Sequence, residues 1–355
     1  MSPAAKRQAP RRPAAKRSAA ERPATKAATA KRPATKRAAA QGSSPNGPAS
    51  KKVARRQRSA ASAPTPTTEL VPVAPIAPRP SDPLDNSPRD PDRLSDVDEW
   101  GRSEHMRSLV RRAYEPIYSK WFRVSWEGFD RIPTTGGALL VANHAGAIPS
   151  DAPAIMHGIE RDLHRPVYGL ADHVFRTLPV IGTLWSRSGG VVAHPENAYR
   201  LLRRQQQLAL VFPEGTKGPS KHVSQRYQLR RFGRGGFVEI AMRAGVPIIP
   251  LAVVGAEESM PVVARLPALS KALGIPYFPI TANMALAPIL GPLATVAYFP
   301  AKFTIRVLDP VTFDVEPDQP RYSRNRIMDA SEAIRDTIQT ALYDMLRTRR
   351  SVWFG

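Results

Sequence analysis

The chain predicts an α/β fold: a mixed, mostly parallel sheet flanked by helices, preceded by a disordered N-terminal tail. Three observations lead there. From residue 104 onward, short apolar runs of strand length alternate with longer amphipathic stretches. Two of those runs, Gly137–Asn143 and Leu208–Phe212, end directly in polar, glycine-containing motifs. Open α/β sheets place their ligands at such strand ends. Ahead of all this lies a stretch with almost nothing to bury.

That stretch carries a ten-residue repeat. Arg12-Pro13-Ala14-Ala15-Lys16 recurs as Arg22-Pro23-Ala24-Thr25-Lys26 and as Arg32-Pro33-Ala34-Thr35-Lys36. Residues 1–60 hold seventeen Lys/Arg against one acid, Glu21, so they net +16 of the chain's +22 and leave +6 for the rest. The composition predicts a disordered tail over residues 1–65. It resembles the basic tails of bacterial nucleoid proteins and linker histones. Such a tail attracts polyanions without sequence recognition, either an anionic membrane surface or nucleic acid. No groove-reading motif accompanies it, which favours the membrane or incidental DNA contact.

Residues 66–99 read as a Pro/Ser-rich linker that turns acidic at Asp82, Asp85, Asp90, Asp92, Asp96, Asp98 and Glu99. The acids either pair with the tail or simply solvate a spacer. One folded domain is expected over residues 100–355.

The elements follow in order. Residues 104–120 read as a basic amphipathic helix with Met106, Leu109, Val110, Ala113 and Ile117 on its apolar side. Phe122–Trp126 alternates like a strand. Gly137–Asn143 is an apolar run that suits a buried strand, and Ala152–Gly158 can open a helix. Pro166–Leu170 reads as a strand, Glu196–Gln207 as a helix, Leu208–Phe212 as a strand and Gly236–Ala244 as a helix. Ile248–Val254 and Phe303–Leu308 are further strands, and Met328–Arg347 closes the chain as a helix.

Ala272 to Ala301 contains no charge, but Pro276, Pro279, Pro288, Pro292 and Pro300 interrupt it. Proline removes a backbone donor that a spanning helix needs. The segment is expected to be an apolar loop covering the sheet edge, or one resting in a membrane interface. The chain has no cysteine, which excludes disulfides and thiolate metal sites. No apolar signal region opens it. Metal-ligand clusters, a Walker loop and a Gly-x-Ser-x-Gly elbow are not found, so no metal or bound cofactor is expected.

Candidate chemistry starts at Asn143-His144, directly after a strand, with Asp151 seven residues beyond His144 at a helix start. A carboxylate bonded to one imidazole nitrogen fixes the tautomer and frees the other nitrogen to accept a proton. Alternatively, Ser150 or Asp151 is a helix N-cap and His144 a core histidine. The second motif, Phe212-Pro213-Glu214-Gly215-Thr216, follows another strand. Its backbone N–H groups suit a phosphate or an oxyanion. Lys217, Lys221, Arg226, Arg230, Arg231 and Arg234 follow it, as a phosphate-binding run or a solvated face.

With these blocks the chain resembles the glycerolipid acyltransferase superfamily, which includes the lysophospholipid and glycerol-3-phosphate acyltransferases. Its four ordered blocks would be Asn143-His144 with Asp151; Gly182 to Gly190, with Arg187 as phosphate contact; Phe212 to Thr216; and Val246-Pro247-Ile248-Ile249-Pro250. Phe232-Gly233-Arg234-Gly235-Gly236 resembles a further family stretch. The resemblance covers about residues 120 to 310 and implies that residues 100–355 form the acyltransferase domain. Two departures bear on the acceptor. Six residues separate His144 from Asp151 where four are commonest, and Lys217 follows Thr216 where phosphate-acceptor members often carry Arg. The longer spacing resembles a branch that includes enzymes acting on neutral glycerolipids.

The resemblance implies acyl transfer from acyl-CoA or an acyl carrier protein, each a co-substrate, to the hydroxyl of a lysophospholipid-like acceptor. His144 would be the base and Asp151 its orienter. Asn143, Arg187, Glu214, Gly215, Thr216, Lys217, Arg234 and Pro247 would bind or frame substrate. Gly215 and Thr216 would supply oxyanion donors, and Val246–Pro250 would shape the acyl or pantetheine channel. The alternatives are a neutral-lipid acyltransferase, or a polyanion- or nucleoid-binding protein with an inactive domain of this kind. The expected location is cytoplasmic, on the cytoplasmic face of the membrane, with Trp353-Phe354 beside Arg349-Arg350 as an interfacial anchor or a frayed terminus.

Overall fold

The computed structural model describes residues 96–173, 180–272, 274 and 277–355. The predicted tail and the linker up to residue 95 lie outside the described residues. Seven strands form one sheet: β1 (Ser125–Glu127), β2 (Ala138–Ala142), β3 (Val167–Ala171), β4 (Gly190–Val192), β5 (Leu208–Val211), β6 (Ile248–Val254) and β9 (Thr304–Val307). Their order is β1-β9-β6-β2-β5-β3-β4. β6, β2, β5, β3 and β4 run parallel. β9 is antiparallel to β6 and parallel to β1, so the sheet is mixed and mostly parallel. β7 (Val262–Arg265) and β8 (Pro279–Thr281) pair separately as an antiparallel ribbon.

The central strand β2 is buried at all five positions. This is what a strand covered on both faces requires. Its alternating side chains serve two cores. Leu139 and Val141 face helices α5 (Gly236–Ala244) and α9 (Arg324–Thr348) through Val238, Ala241, Ile334 and Ile338. Ala138, Leu140 and Ala142 face α2 (Asp151–Leu163) through Ile155 and Ile159. Between α2 and α5 come α3 (Ile181–Arg187) and α4 (Pro195–Tyr199), and the short helices α6 (Ala256–Ser259), α7 (Pro267–Ala272) and α8 (Ala287–Leu290) precede α9. The sequence signal missed α3, β4 and the β7–β8 ribbon. The three-residue β4 is too short to show a period of its own.

Helix α1 (Glu104–Pro116) forms where periodicity places it, capped by the Ser103 hydroxyl accepting from the Met106 N–H. Its buried side is not the expected one. Arg107 and Arg111 are buried, while Leu109 and Ile117 are exposed. The cause lies on α2: Glu160 is buried, and it forms ion pairs with both arginines. A buried carboxylate demands such compensation, and that outweighs the burial of one leucine.

The folded part begins earlier than residue 100. Asp96 accepts from the Ser103 hydroxyl at 2.7 Å and the His105 N–H at 2.9 Å. Asp98 accepts from the Tyr168 hydroxyl at 2.7 Å, and Glu99 pairs with Arg200. These three acids are partnered inside the domain.

The uncharged segment near the C-terminal third folds as β8 and a chain of short helical turns over residues 282–295. Buried Asn283 pins it by donating to the Ser259 and Ala297 carbonyls. No helix among the described residues is long and apolar enough to cross a membrane.

Replacing Glu160 with Ala takes the paired carboxylate from the buried Arg107 and leaves Arg111 with Glu104 at 3.9 Å. We expect a loss of about 3–5 kcal/mol of unfolding free energy, read from urea denaturation.

Candidate active site

The site forms where two neighbouring parallel strands end at the same height. Val141 of β2 is in register with Val211 of β5. Three residues further, the His144 N–H donates to Glu214 Oε1 at 3.2 Å. The His144 ring stacks on Phe212, centroids 4.1 Å apart and planes at 21°. Two motifs seventy residues apart in sequence thus meet because their strands are neighbours.

On the other flank, Asn143 extends the sheet with its side chain. Its amide donates to the Val253 carbonyl at 3.0 Å and its oxygen accepts from the Val253 N–H at 2.8 Å. The fully buried Asn143 therefore holds the end of β2 against β6 and does not face substrate. This corrects its expected binding role.

Asp151 opens α2 and is fully buried. Its Oδ2 accepts from the Ala145 N–H at 2.8 Å and lies 2.9 Å from His144 Nδ1, while Oδ1 accepts from the Ala152 N–H at 2.7 Å. The carboxylate thus accepts two backbone N–H groups at a helix N-terminus. It selects the tautomer with hydrogen on Nδ1, which leaves Nε2 as an acceptor. Nε2 makes no hydrogen bond among the described residues, and the His144 side chain is 15% exposed. The turn between them needs Gly146, whose φ of +80° suits glycine.

Glu214 is also buried, with both oxygens spent on backbone. Oε1 accepts from His144 and Oε2 from the Arg230 N–H at 2.8 Å. Lys221 lies beneath, 3.4 Å from Glu214 and 2.9 Å from Glu257. Glu214 thus ties the His144 loop to the loop carrying Arg230. Gly218 passes so close that a Cβ there would meet the His144 Cβ at 2.7 Å and the His144 carbonyl at 2.7 Å.

Other expected contacts fall elsewhere. The Gly215 N–H closes a turn onto the Phe212 carbonyl at 2.9 Å, so it is not held ready for an oxyanion. Thr216, Lys217 and Arg234 are exposed. Arg187 precedes the N-terminal end of the edge strand β4, and its guanidinium contacts the Gly101 carbonyl. His144 follows a strand's C-terminal end, so the two sit at opposite ends of the sheet. Pro247 likewise precedes β6, its carbonyl accepting from the Leu139 N–H. The stretch Val246–Pro250 thus builds the central sheet and does not line a channel.

Sequence reading named Lys217, Lys221, Arg230 and Arg231 but missed Ser220, Arg265, Tyr277 and Tyr298. Lys217, Ser220, Lys221, Arg230, Arg231 and Arg265 line an open cleft of about 330 Å³ beside the Gly218 loop. Arg265 comes from β7, so no sequence run contains it. Tyr277 donates to the Ala147 carbonyl at 2.8 Å and Tyr298 to the Ile148 carbonyl at 3.3 Å. Burial, with the Asp151 carboxylate adding to it, pushes both phenols well above their ordinary range, so they stay neutral. Glu257 and Glu258 went unread as well, although two acids stand three and four residues after the apolar strand that ends at Val254.

The Acyltransferase family model matches residues 123–254. An uncharacterized protein of Mycobacterium tuberculosis is 39% identical over 266 residues, 73% of this chain and 72% of that protein. The chain belongs to the acyltransferase family. This agrees with the glycerolipid acyltransferase superfamily that the four sequence blocks resemble. A human protein named a DGAT1/2-independent enzyme synthesizing storage lipids is 28% identical over 145 residues, 41% of this chain and 44% of its own. Among solved structures, the 1-acyl-sn-glycerophosphate acyltransferase PlsC of Thermotoga maritima matches with a TM-score of 0.43 and 18% identity, over 69% of this chain and 80% of its own.

Two outcomes follow for the acyltransferase. Asp151→Asn should lower the acyl-transfer kcat by about 10²–10⁴-fold with the fold retained, measured alongside thermal unfolding. Burial pushes the Glu257 carboxyl from 4.5 up to about 6, against the pull of Lys221. The native state then holds a proton that the unfolded chain has released, so stability should fall as pH rises through that window, by roughly 2 kcal/mol. In Glu257→Gln this part of the slope should vanish from urea titrations across the same pH range.

Proposed function

We propose that this acyltransferase esterifies the hydroxyl of a lysophospholipid-like glycerolipid with an acyl group from a thioester, acyl-CoA or an acylated carrier protein. The observation that carries the reading is the His144–Asp151 pair with Nε2 unengaged among the described residues; Gly218, packed against His144, lies between Lys217 and Ser220 of the cationic cleft. Nε2 takes the proton as the acceptor oxygen attacks the thioester carbonyl. The tetrahedral intermediate then collapses, the carbon–sulfur bond breaks, and the thiolate leaves with that proton. Asp151 keeps Nδ1 protonated throughout and stabilises the imidazolium. With Gly215 engaged, Thr216 is the candidate oxyanion donor on this loop.

Lys217, Arg230, Arg231 and Arg265 give the substrate phosphates a place to bind. Arg187 and Arg234 are left out of this assignment. The work would take place at the cytoplasmic face of a membrane, with the basic repeat of residues 1–60 adding affinity for anionic lipid, up to about 1 kcal/mol for each cation near the surface. A second reading, transfer to mono- or diacylglycerol, is favoured by the six-residue gap between His144 and Asp151 and by the storage-lipid enzyme among the relatives.

Thiol release from palmitoyl-CoA, with lysophosphatidate, monoacylglycerol or diacylglycerol supplied in turn, tests both. The chain has no cysteine to add background. Acceptor-dependent release that disappears in His144→Ala establishes transfer. Loss of lysophosphatidate use in Arg230→Ala, with diacylglycerol use intact, would assign the cleft to an acceptor phosphate. Release indifferent to His144→Ala removes the mechanism.

A further inference from the structure

Three segments far apart in sequence meet on one surface beside the catalytic loop. The first is residues 117–123, following α1. There Ile117 and Trp121 are exposed, and the Trp121 indole donates to the Tyr298 carbonyl at 3.0 Å. The second is residues 289–302, where Ile289 is 82% and Leu293 67% exposed, followed by Val296. The third is the C-terminal turn, where Trp353 packs edge-on against Phe299 and Phe354 is 83% exposed. Through Tyr298, which donates to the Ile148 carbonyl, this surface reaches the loop that carries His144.

A pair of cations sits at its centre. Arg123 adopts a left-handed φ of +46°, strained for a side-chain-bearing residue. Its guanidinium donates to the carbonyls of Lys120, Trp121, Pro300 and Trp353. Lys302 donates to the Arg123 carbonyl, and its own N–H bonds the Val352 carbonyl. Among the described residues no carboxylate forms an ion pair with either cation. Burial and the Arg123 charge together push the Lys302 ammonium down. Carbonyls engage the two terminal nitrogens of Arg123, leave its Nε without a hydrogen-bond partner among the described residues, and cannot cancel its charge. Exposed Lys120 and Arg350 add to the local positive field.

Exposed aromatic rings, one of them Trp121 with its polar edge satisfied inward, together with bare aliphatic side chains and cations without a paired carboxylate, are the composition that partitions into a headgroup layer. A protein partner would need carboxylates placed against Arg123 and Lys302, whereas an anionic bilayer neutralises them without fixed geometry. We infer that the surface formed by Trp121, Ile289, Leu293, Trp353 and Phe354 around Arg123 and Lys302 docks the protein on an anionic lipid bilayer, turning the His144 loop toward it. The docking gives the proposed lipid acyl transfer its direction of substrate entry and rests on that reading.

Full-length protein is mixed with phosphatidylcholine vesicles, with or without phosphatidylglycerol, in about 0.5 M salt to screen the N-terminal repeat. Bromine-labelled lipid should quench tryptophan fluorescence, and Trp121→Phe combined with Trp353→Phe should abolish the quenching. Trp353→Ser with Phe354→Ser should weaken vesicle partitioning about tenfold or more. Lys302→Gln should remove much of the gain from phosphatidylglycerol. Absence of wild-type partitioning, quenching that survives loss of both tryptophans, or Ser variants that partition like the wild type would overturn the inference. Quenching needs no acyl transfer, so a protein that docks but releases no thiol would sink the proposed reaction alone.

Discussion

The site depends on one buried carboxylate. Asp151 lies beneath the loop it orders, and its carboxylate binds the amides of Ala145 and Ala152 together with the His144 ring. Ionic groups withdrawn from water must be answered locally, and here the answer is the start of a helix and the turn leading into it. That demand fixes the loop between β2 and α2, and the loop fixes the imidazole. The six-residue interval still brings His144 Nδ1 to 2.9 Å from Asp151, with Gly146 turning left-handed on the way.

The same logic recurs outward from the site. Glu214 is answered by two amides and Lys221, and Lys221 by Glu257. Glu258 is bonded by the Tyr227 hydroxyl and by Arg349 at the end of α9. On the far face, Glu160 is answered by Arg107 and Arg111. Each buried charge ties elements distant in sequence, so the domain is stapled by polar networks as well as by its two apolar cores.

Much of this was legible in the sequence, and the pattern of success is physical. Strands buried on both faces, such as Ile248–Val254, appear as uninterrupted apolar runs, and a motif directly after such a run must sit at a strand end. That placed His144 and Glu214 correctly. Arg187 and Pro247 were misplaced because block order shows nearness along the chain, not which end of a strand a residue occupies. Arg187 precedes its strand whereas His144 follows its own. The face of α1 was misread because periodicity counts apolar residues and takes no account of a buried Glu160 on another helix. Asn143 stands in a binding motif yet works as sheet, since an amide side chain can imitate a peptide unit.

Gly218 carries one more implication. Its backbone lies against His144 with no space for a side chain, and it stands four residues after Glu214, which grips two backbones at once. One residue more or fewer between them would pull the glutamate from its donors or push a Cβ into the histidine. The interval is therefore frozen in length. The ribbon and turns from residue 262 to 300 are under no such restriction. Their tyrosines meet the catalytic loop at the backbone carbonyls of Ala147 and Ile148, which any residue supplies. A domain built this way can exchange that arm like a removable tool head while the loop around His144 stays the same.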